Sequence, residues 1–267
     1  MPTAKKVFRV DELNVQIYRG ETELAQNVAE IAQNYLRDVL QQNGKAFVLL
    51  ATGNSQIKFL NALIALDGID WQRVTCFHLD EYLGISAAHA ASFRRYLRER
   101  FHNRVNLKEF HYIEGDTLEP ILECDRYSKL LQAQPIDLCC LGVGENGHIA
   151  FNDPSVANFQ DRYSVKLVKL DQLNQQQQVK QGHFPSLEAV PKYAFTVTIP
   201  TICSVKKILC LAPGSHKAKI VQKMLQGDIS TDCPVSVLRQ YSQTTLFLDE
   251  DSASLLSQST SSHTRKS

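Results

Sequence analysis

What this sequence has little of narrows its function first. Its 267 residues carry 29 lysines and arginines against 28 acidic residues, a formal net charge of +1. A chain so nearly neutral offers no electrostatic footprint for nucleic acid or an anionic membrane. Its basic residues are dispersed, apart from Arg94, Arg95, Arg98 and Arg100 on one expected helix. A solvated face or a subunit contact accounts for that cluster more simply than anion binding does. No apolar run approaches the roughly 20 residues needed to span a bilayer. The opening MPTAKKVFRVDELNVQIY also lacks the continuous apolar stretch of a secretory signal. Seven cysteines form no CxxC pair, so no metal is expected. Cys76, Cys139, Cys140, Cys203 and Cys210 lie in apolar runs and read as small buried hydrophobes of a reducing, cytoplasmic compartment. No internal repeat and no linker divides the chain, and the oligomeric state is left open, a homo-oligomer included.

What is present is a mix of short apolar runs and helical patterns. Unbroken runs at Phe47–Ala51, Val74–Leu79, Ile136–Val143, Phe195–Ile199, Ile208–Leu211 and Thr245–Leu248 predict strands covered on both faces. Helical spacing predicts helices over Glu21–Gln42, Ile57–Leu66, Ala91–Phe101, Leu122–Gln132 and Lys217–Gln226. The alternation implies an α/β fold, a doubly wound and mostly parallel sheet in one unit over residues 1–256. Two stretches stand apart. Leu170–Pro185, containing NQQQQVKQGHF, reads as a surface helix or lid, and the polar residues 257–267 read as a disordered tail.

Ligands of open α/β sheets bind beyond the carboxyl ends of the strands, so the residues there carry the functional signal. After the first run, Thr52-Gly53-Asn54-Ser55 leads into a helix. Backbone N–H groups, hydroxyls and a positive dipole end make a phosphate cradle, or else Asn54 or Ser55 simply caps the helix. After the second come His78, Asp80, Glu81 and Tyr82. Adjacent strand residues face opposite ways, so Asp80 and Glu81 cannot both aim at one substrate. One is placed as a general base; a helix cap or ion pair is the plainer alternative. The third stretch, CLGVGENGHIAFNDP (Cys140–Pro154), gathers Gly142, Gly144, Gly147, Asn146, His148 and Asp153. Its density favours a histidine oriented by a carboxylate over a simple glycine turn. After the fourth, Pro213-Gly214-Ser215 precedes Lys217 at a helix start, a position that disfavours cations unless an anion binds there. No nicotinamide-binding unit, metal cluster or nucleophile elbow accompanies these groups. Together they suit proton transfer on a phosphorylated small molecule, a sugar phosphate above all, with no cofactor.

HLDEYLGI with SFRRYLRERF downstream, GVGENGHIAFNDP, VPKYAFTVTIPTI and GSHKA match in type and order the glucosamine-6-phosphate deaminase (isomerase) family, which the chain resembles over roughly Val48 to Leu256. The resemblance implies a Rossmann-like α/β fold without a nucleotide. It implies conversion of glucosamine 6-phosphate to fructose 6-phosphate and ammonia, with neither cofactor nor metal. It places Asp80 as the general base between C2 and C1, and His148 as the group that assists ring opening. Asn146 and Asp153 become the histidine's partners, and Thr52, Gly53, Asn54, Ser55 and Lys217 the phosphate site. The chain departs from the family pattern in three places. Asp153 replaces the usual glutamate and is one methylene shorter. Asn146 stands where some members carry aspartate. The lid-like stretch has no arginine, which leaves Lys180 or a glutamine to substitute. A 6-phosphogluconolactonase shares the fold and a similar glycine–histidine loop, but those proteins carry DER where this chain has Asp80-Glu81-Tyr82. The lactonase is the runner-up, and an isomerase or deaminase of another amino sugar phosphate is a related possibility. A sugar-phosphate sensor would require a DNA-binding module that the chain lacks.

Overall fold

The structure is a computed structural model and describes residues 3–180 and 182–256. The terminal stretch from residue 257 therefore lies outside the described residues. Eleven strands are described: β1 (Lys6–Val10), β2 (Leu13–Tyr18), β3 (Ala46–Leu50), β4 (Val74–His78), β5 (Asp80–Tyr82), β6 (Glu109–His111), β7 (Leu138–Gly142), β8 (Val165–Lys169), β9 (Tyr193–Val197), β10 (Lys207–Leu211) and β11 (Thr244–Asp249). Eight form the main sheet in the order β1-β2-β11-β10-β7-β3-β4-β6. All neighbours in it are parallel except the edge hairpin β1–β2.

The helices are α1 (Glu21–Asn43), α2 (Asn54–Ala65), α3 (Phe93–Arg100), α4 (Pro120–Gln132), α5 (Gln172–Lys180), α6 (Ile199–Cys203) and α7 (Ala218–Gln226). Helix α1 stops where Gly44 turns left-handed at φ 72° and gives its N–H to Leu40. The unbroken apolar runs are explained by two cores, one on each sheet face. Along β7, Cys139 and Leu141 enter one core while Leu138 and Cys140 enter the other. All seven cysteines are buried and unpaired with one another. No helix of the described residues is long and apolar enough to cross a membrane.

Two expectations need correction. The run at Phe195–Ile199 is not a strand of the parallel sheet. Its strand, β9, belongs to a separate antiparallel sheet ordered β5-β9-β8, and residues from Ile199 begin α6. Burial on both faces makes such a strand indistinguishable by composition from a parallel one. The run Val74–Leu79 likewise divides. Leu79 donates to Leu50 of the main sheet and accepts from Val197 of the small one, so the chain changes sheets there. The hairpin β1–β2 and strands β6 and β8 escaped a search for unbroken runs. Leu13, Val15 and Ile17 of β2 alternate with half-exposed residues, the pattern of a strand near an edge.

The strand order fixes where a ligand can sit. From β3 the chain winds outward through β4 and β6, then returns to β7 on the other side of β3. The loops after β3 and β7 therefore diverge, which opens a crevice at their carboxyl ends.

Candidate active site

A cleft of about 370 Å³ occupies that crevice. The Thr52–Ser55 turn after β3, Asp80, Gly142–Gly144, His148 and Lys217 all line it. Asp80 and His148 thus face one cavity. Helix α2 begins with Gly53 as its N-cap at φ 101°, and neither Asn54 nor Ser55 caps it with a side chain. Gln56 N–H donates to Gly53 O at 3.1 Å, but no side chain caps the turn and no acidic residue lies in it to compete with an anion. A Cβ on Gly142 would lie 2.9 Å from Ser55 Oγ, so glycine is what lets the two diverging loops come this close.

Lys217 lines the same cleft. It terminates a short 3-10 turn, Ser215–Lys217, rather than lying within α7. The turn is tied down by Gly214 N–H, which donates to both carboxylate oxygens of Asp249 at 3.0 Å. Lys217 is 7% exposed and forms no ion pair among the described residues. Burial lowers its pKa, partly offset by the charge of Glu145. A buried cation without a protein partner suits an anion-binding position.

Asp80 begins β5 and is 7% exposed. Burial, with Glu81 beside it, holds its carboxyl well above the usual carboxylate range. Glu81 points the other way, as the strand alternation requires. It accepts from Ser92 Oγ at 2.8 Å and from the N–H groups of Phe93 and Arg94 at 3.1 and 2.9 Å, capping α3. Arg94, expected on a solvated face, is instead buried against Glu81 and donates to Asp116 at 2.9 Å. His78 is sealed, accepts from Ile113 N–H at 2.8 Å, and is pushed down to about 3 by burial. Of these strand-end groups Asp80 and Tyr82 differ most: the Tyr82 hydroxyl is buried among Phe93, Phe151 and Phe184, whereas Asp80 opens on the cleft.

The glycine loop after β7 spells GxGxxG, yet no helix follows it; the chain curls through a bridge between Ile149 and Asn152. That rules out the dinucleotide reading of the motif. His148 folds back over Gly144, where a Cβ would lie 2.2–2.3 Å from the ring atoms. Its Nδ1 lies 2.7 Å from Asn146 Oδ1 and 3.0 Å from Asp153 Oδ1. Two acceptors assign the proton to Nδ1 and leave Nε2 as the acceptor. The shorter Asp153 therefore reaches the ring. Ala150, at φ 52°, makes the tight curl that brings it there. Asn146 and Asp153 contact the imidazole and do not line the cleft. Burial pushes Asp153 up, but its bonds to His148, Asn146 and Asn174 outweigh this and hold it below the usual range.

Several site residues gave no sequence signal. Thr196 of β9 pairs with Asp80 across the small sheet, and its Oγ1 accepts from Phe151 N–H at 3.1 Å and Asn152 Nδ2 at 3.2 Å. It thereby ties the carboxylate strand to the histidine loop. Arg100, His183 and His216 line the cleft, as does Gln178 of α5. Of the two lid substitutes considered, a glutamine, Gln178, lines the cleft, and Lys180 is exposed and does not line it. The signal for Arg100 was present in the arginine cluster; those for Thr196 and Asn174 depend on contacts far apart in sequence.

The comparisons agree with this geometry. The family model for glucosamine-6-phosphate isomerases/6-phosphogluconolactonase matches residues 19–247. A glucosamine-6-phosphate deaminase of Exiguobacterium sibiricum is 35% identical over 236 residues, covering 88% of this chain and 91% of that one. Glucosamine-6-phosphate deaminase 1 of Bacillus subtilis is 35% identical over 241 residues, covering 88% and 98%. A solved monomeric glucosamine-6-phosphate deaminase superposes with a TM-score of 0.81 at 34% identity, covering 90% of this chain and 99% of that one. A 6-phosphogluconolactonase of Thermotoga maritima, at TM-score 0.71, 18% identity and coverage of 89% and 98%, shares the fold. By the extent of these matches and the arrangement of its cleft, the chain belongs to the glucosamine-6-phosphate isomerase/6-phosphogluconolactonase family.

Proposed function

We propose that this protein is a glucosamine-6-phosphate deaminase, converting glucosamine 6-phosphate and water to fructose 6-phosphate and ammonia. One observation carries the reading: a buried carboxyl, Asp80, and an oriented imidazole, His148, open on a single cleft whose far end is an anion cradle of Thr52, Gly53, Asn54, Ser55 and Lys217. The relatives named as deaminases support the same activity.

The cradle fixes the 6-phosphate through the N–H groups of α2 and the Lys217 ammonium. His148 Nε2 takes the proton from the O1 hydroxyl of the ring form and passes it to O5 as the C1–O5 bond breaks, leaving an aldehyde at C1 and a hydroxyl at C5. The C2 proton, now beside a carbonyl, is acidic enough for Asp80 to remove. Its return at C1, with a proton gained by O1 and one lost from the amino nitrogen, moves the double bond to C2 as an imine. Water adds to that carbon and ammonia departs, which leaves the ketose. The elevated pKa of Asp80 suits both halves, because a carboxylate that readily holds a proton is a stronger base and can return what it takes. No step calls for redox chemistry, and the residues of the cleft supply both proton-transfer groups.

The purified protein is expected to release ammonia and form a ketose phosphate from glucosamine 6-phosphate. Asp80→Asn is expected to lose roughly 10²–10⁴-fold in kcat with folding intact. Rapid hydrolysis of 6-phosphogluconolactone with no ammonia from the amino sugar would replace this reading with the lactonase one.

A further inference from the structure

Helix α5 is a polar element docked on a reaction cleft. Its sequence, QLNQQQQVK, is mostly polar, and among its described side chains Val179 alone packs against an apolar cluster. Its described buried side chains are two amides, Asn174 at 1% exposure and Gln178 at 9%. Amides are buried so deeply only where their hydrogen bonds are made. Asn174 Nδ2 donates to Asp153 Oδ1 at 3.2 Å and Oδ2 at 3.1 Å. Oδ1 is also served by Asn146 Nδ2 at 2.9 Å and His148 Nδ1 at 3.0 Å. Among the described residues, Asn174 makes the only hydrogen bond to Oδ2. One turn along, Gln178 lines the cleft, and its Nε2 lies 3.5 Å from Asn174 Oδ1. The helix start is set by Asp171 Oδ1, which accepts from Asn174 N–H at 2.7 Å.

We infer that Asn174 is a positioning residue: its amide seats α5 on the Asp153 carboxylate and, through it, keeps His148 protonated on Nδ1 with Nε2 ready for the substrate. A carboxylate that serves two donors through one oxygen needs a donor on the other to stay ionised in a sealed setting. Asn174 is that donor. It comes from α5, whose Gln178 lines the cleft, so one helix both borders the cavity and holds the carboxylate behind the histidine. The aspartate, shorter than the family's glutamate, leaves room for the amide behind it. The inference rests on the deaminase reading for the step that His148 serves; the tautomer itself does not depend on it.

The test uses full-length protein labelled with ¹⁵N-histidine, its His148 signals assigned with His148→Gln. Wild type is expected to show His148 as the Nδ1–H tautomer. Asn174→Leu keeps the bulk without the donor and is expected to show a mixture of tautomers. With glucosamine 6-phosphate its kcat is expected to fall about tenfold or more while KM moves less, the mark of a misplaced proton-transfer group. Asn174→Ser, which retains a donor, should recover part of each change. Where leucine prevents folding, Asn174→Ala removes the same bond and is read in the same way. A wild-type tautomer in the folded donor-less variant would overturn the inference, whatever the melting temperature does. A wild-type protein that releases no ammonia would overturn the deaminase reading and leave the tautomer comparison decisive for Asn174.

Discussion

Burying a carboxyl costs stability wherever it must ionise, and Asp80 is both buried and adjacent to a second carboxylate. The sign follows from linkage. A folded pKa above the unfolded one means that the native state binds the proton more tightly. Its favourable contribution is complete below the unfolded value, 3.8 for an ordinary aspartate, and is lost as pH rises through the folded value. Asp80→Asn is therefore expected to raise Tm at neutral pH while removing turnover, and the gain should vanish on acidification below that ordinary value. Calorimetry across pH checks it, and an equal or lower Tm at neutral pH would show Asp80 to be well solvated. In wild type the acid limb of kcat/KM should lie above the ordinary carboxylate range, because the base works only when deprotonated. Gly144 sets a different kind of limit. A methyl there would overlap the His148 ring at 2.2–2.3 Å, so Gly144→Ala should displace the imidazole and cost on the order of 100-fold in kcat. Steady-state rates at saturating substrate measure that loss.

At the scale of elements, helix α2 matters for what its first turn leaves undone. A side-chain cap or an acidic residue would satisfy the N–H groups; Gly53 does neither. Lys217 adds a buried ammonium to the lining of the same cleft. Lys217→Ala is expected to raise KM by roughly tenfold or more with a smaller change in kcat, since the phosphate is held equally in ground and transition states. It should also lessen the Tm increase that inorganic phosphate gives the wild type, which a thermal-shift titration reads directly. An unchanged KM would remove Lys217 from the site. These elements were legible because each strand end is read locally: small residues, a hydroxyl, then helical spacing. The alternation rule also separated Asp80 from Glu81, and assigning the cap to Glu81 settles which of them is free. Helix α5 was legible only as a polar stretch. Its anchoring by Asn174 to Asp153, across 21 positions, depends on two amides whose partner no local pattern names.

For the molecule as a whole, the doubly wound parallel sheet was readable from unbroken apolar runs, because burial on two faces leaves no polar alternation. The same rule misplaced β9, which is buried between the main sheet and the cleft-side aromatic cluster for a different reason. The small sheet is where the site is assembled. Asp80 arrives on β5, the histidine loop is tied to Thr196 of β9, and pairing of those two strands sets their spacing. Thr196→Val, close in size but without the hydroxyl acceptor, is expected to lower activity at least as much as stability. Measuring kcat beside a denaturant midpoint decides this. The seven interior thiols give the molecule a built-in clock. None presents a thiolate at the surface, and burial pushes those with resolved shifts upward. A thiol reagent must therefore wait for the chain to open. Cys233 lies against Gly147 of the histidine loop, while Cys139, Cys140 and Cys210 lie in central strands. The order in which these sulfurs become labelled would time the breathing of the reaction centre against the breathing of the sheet beneath it.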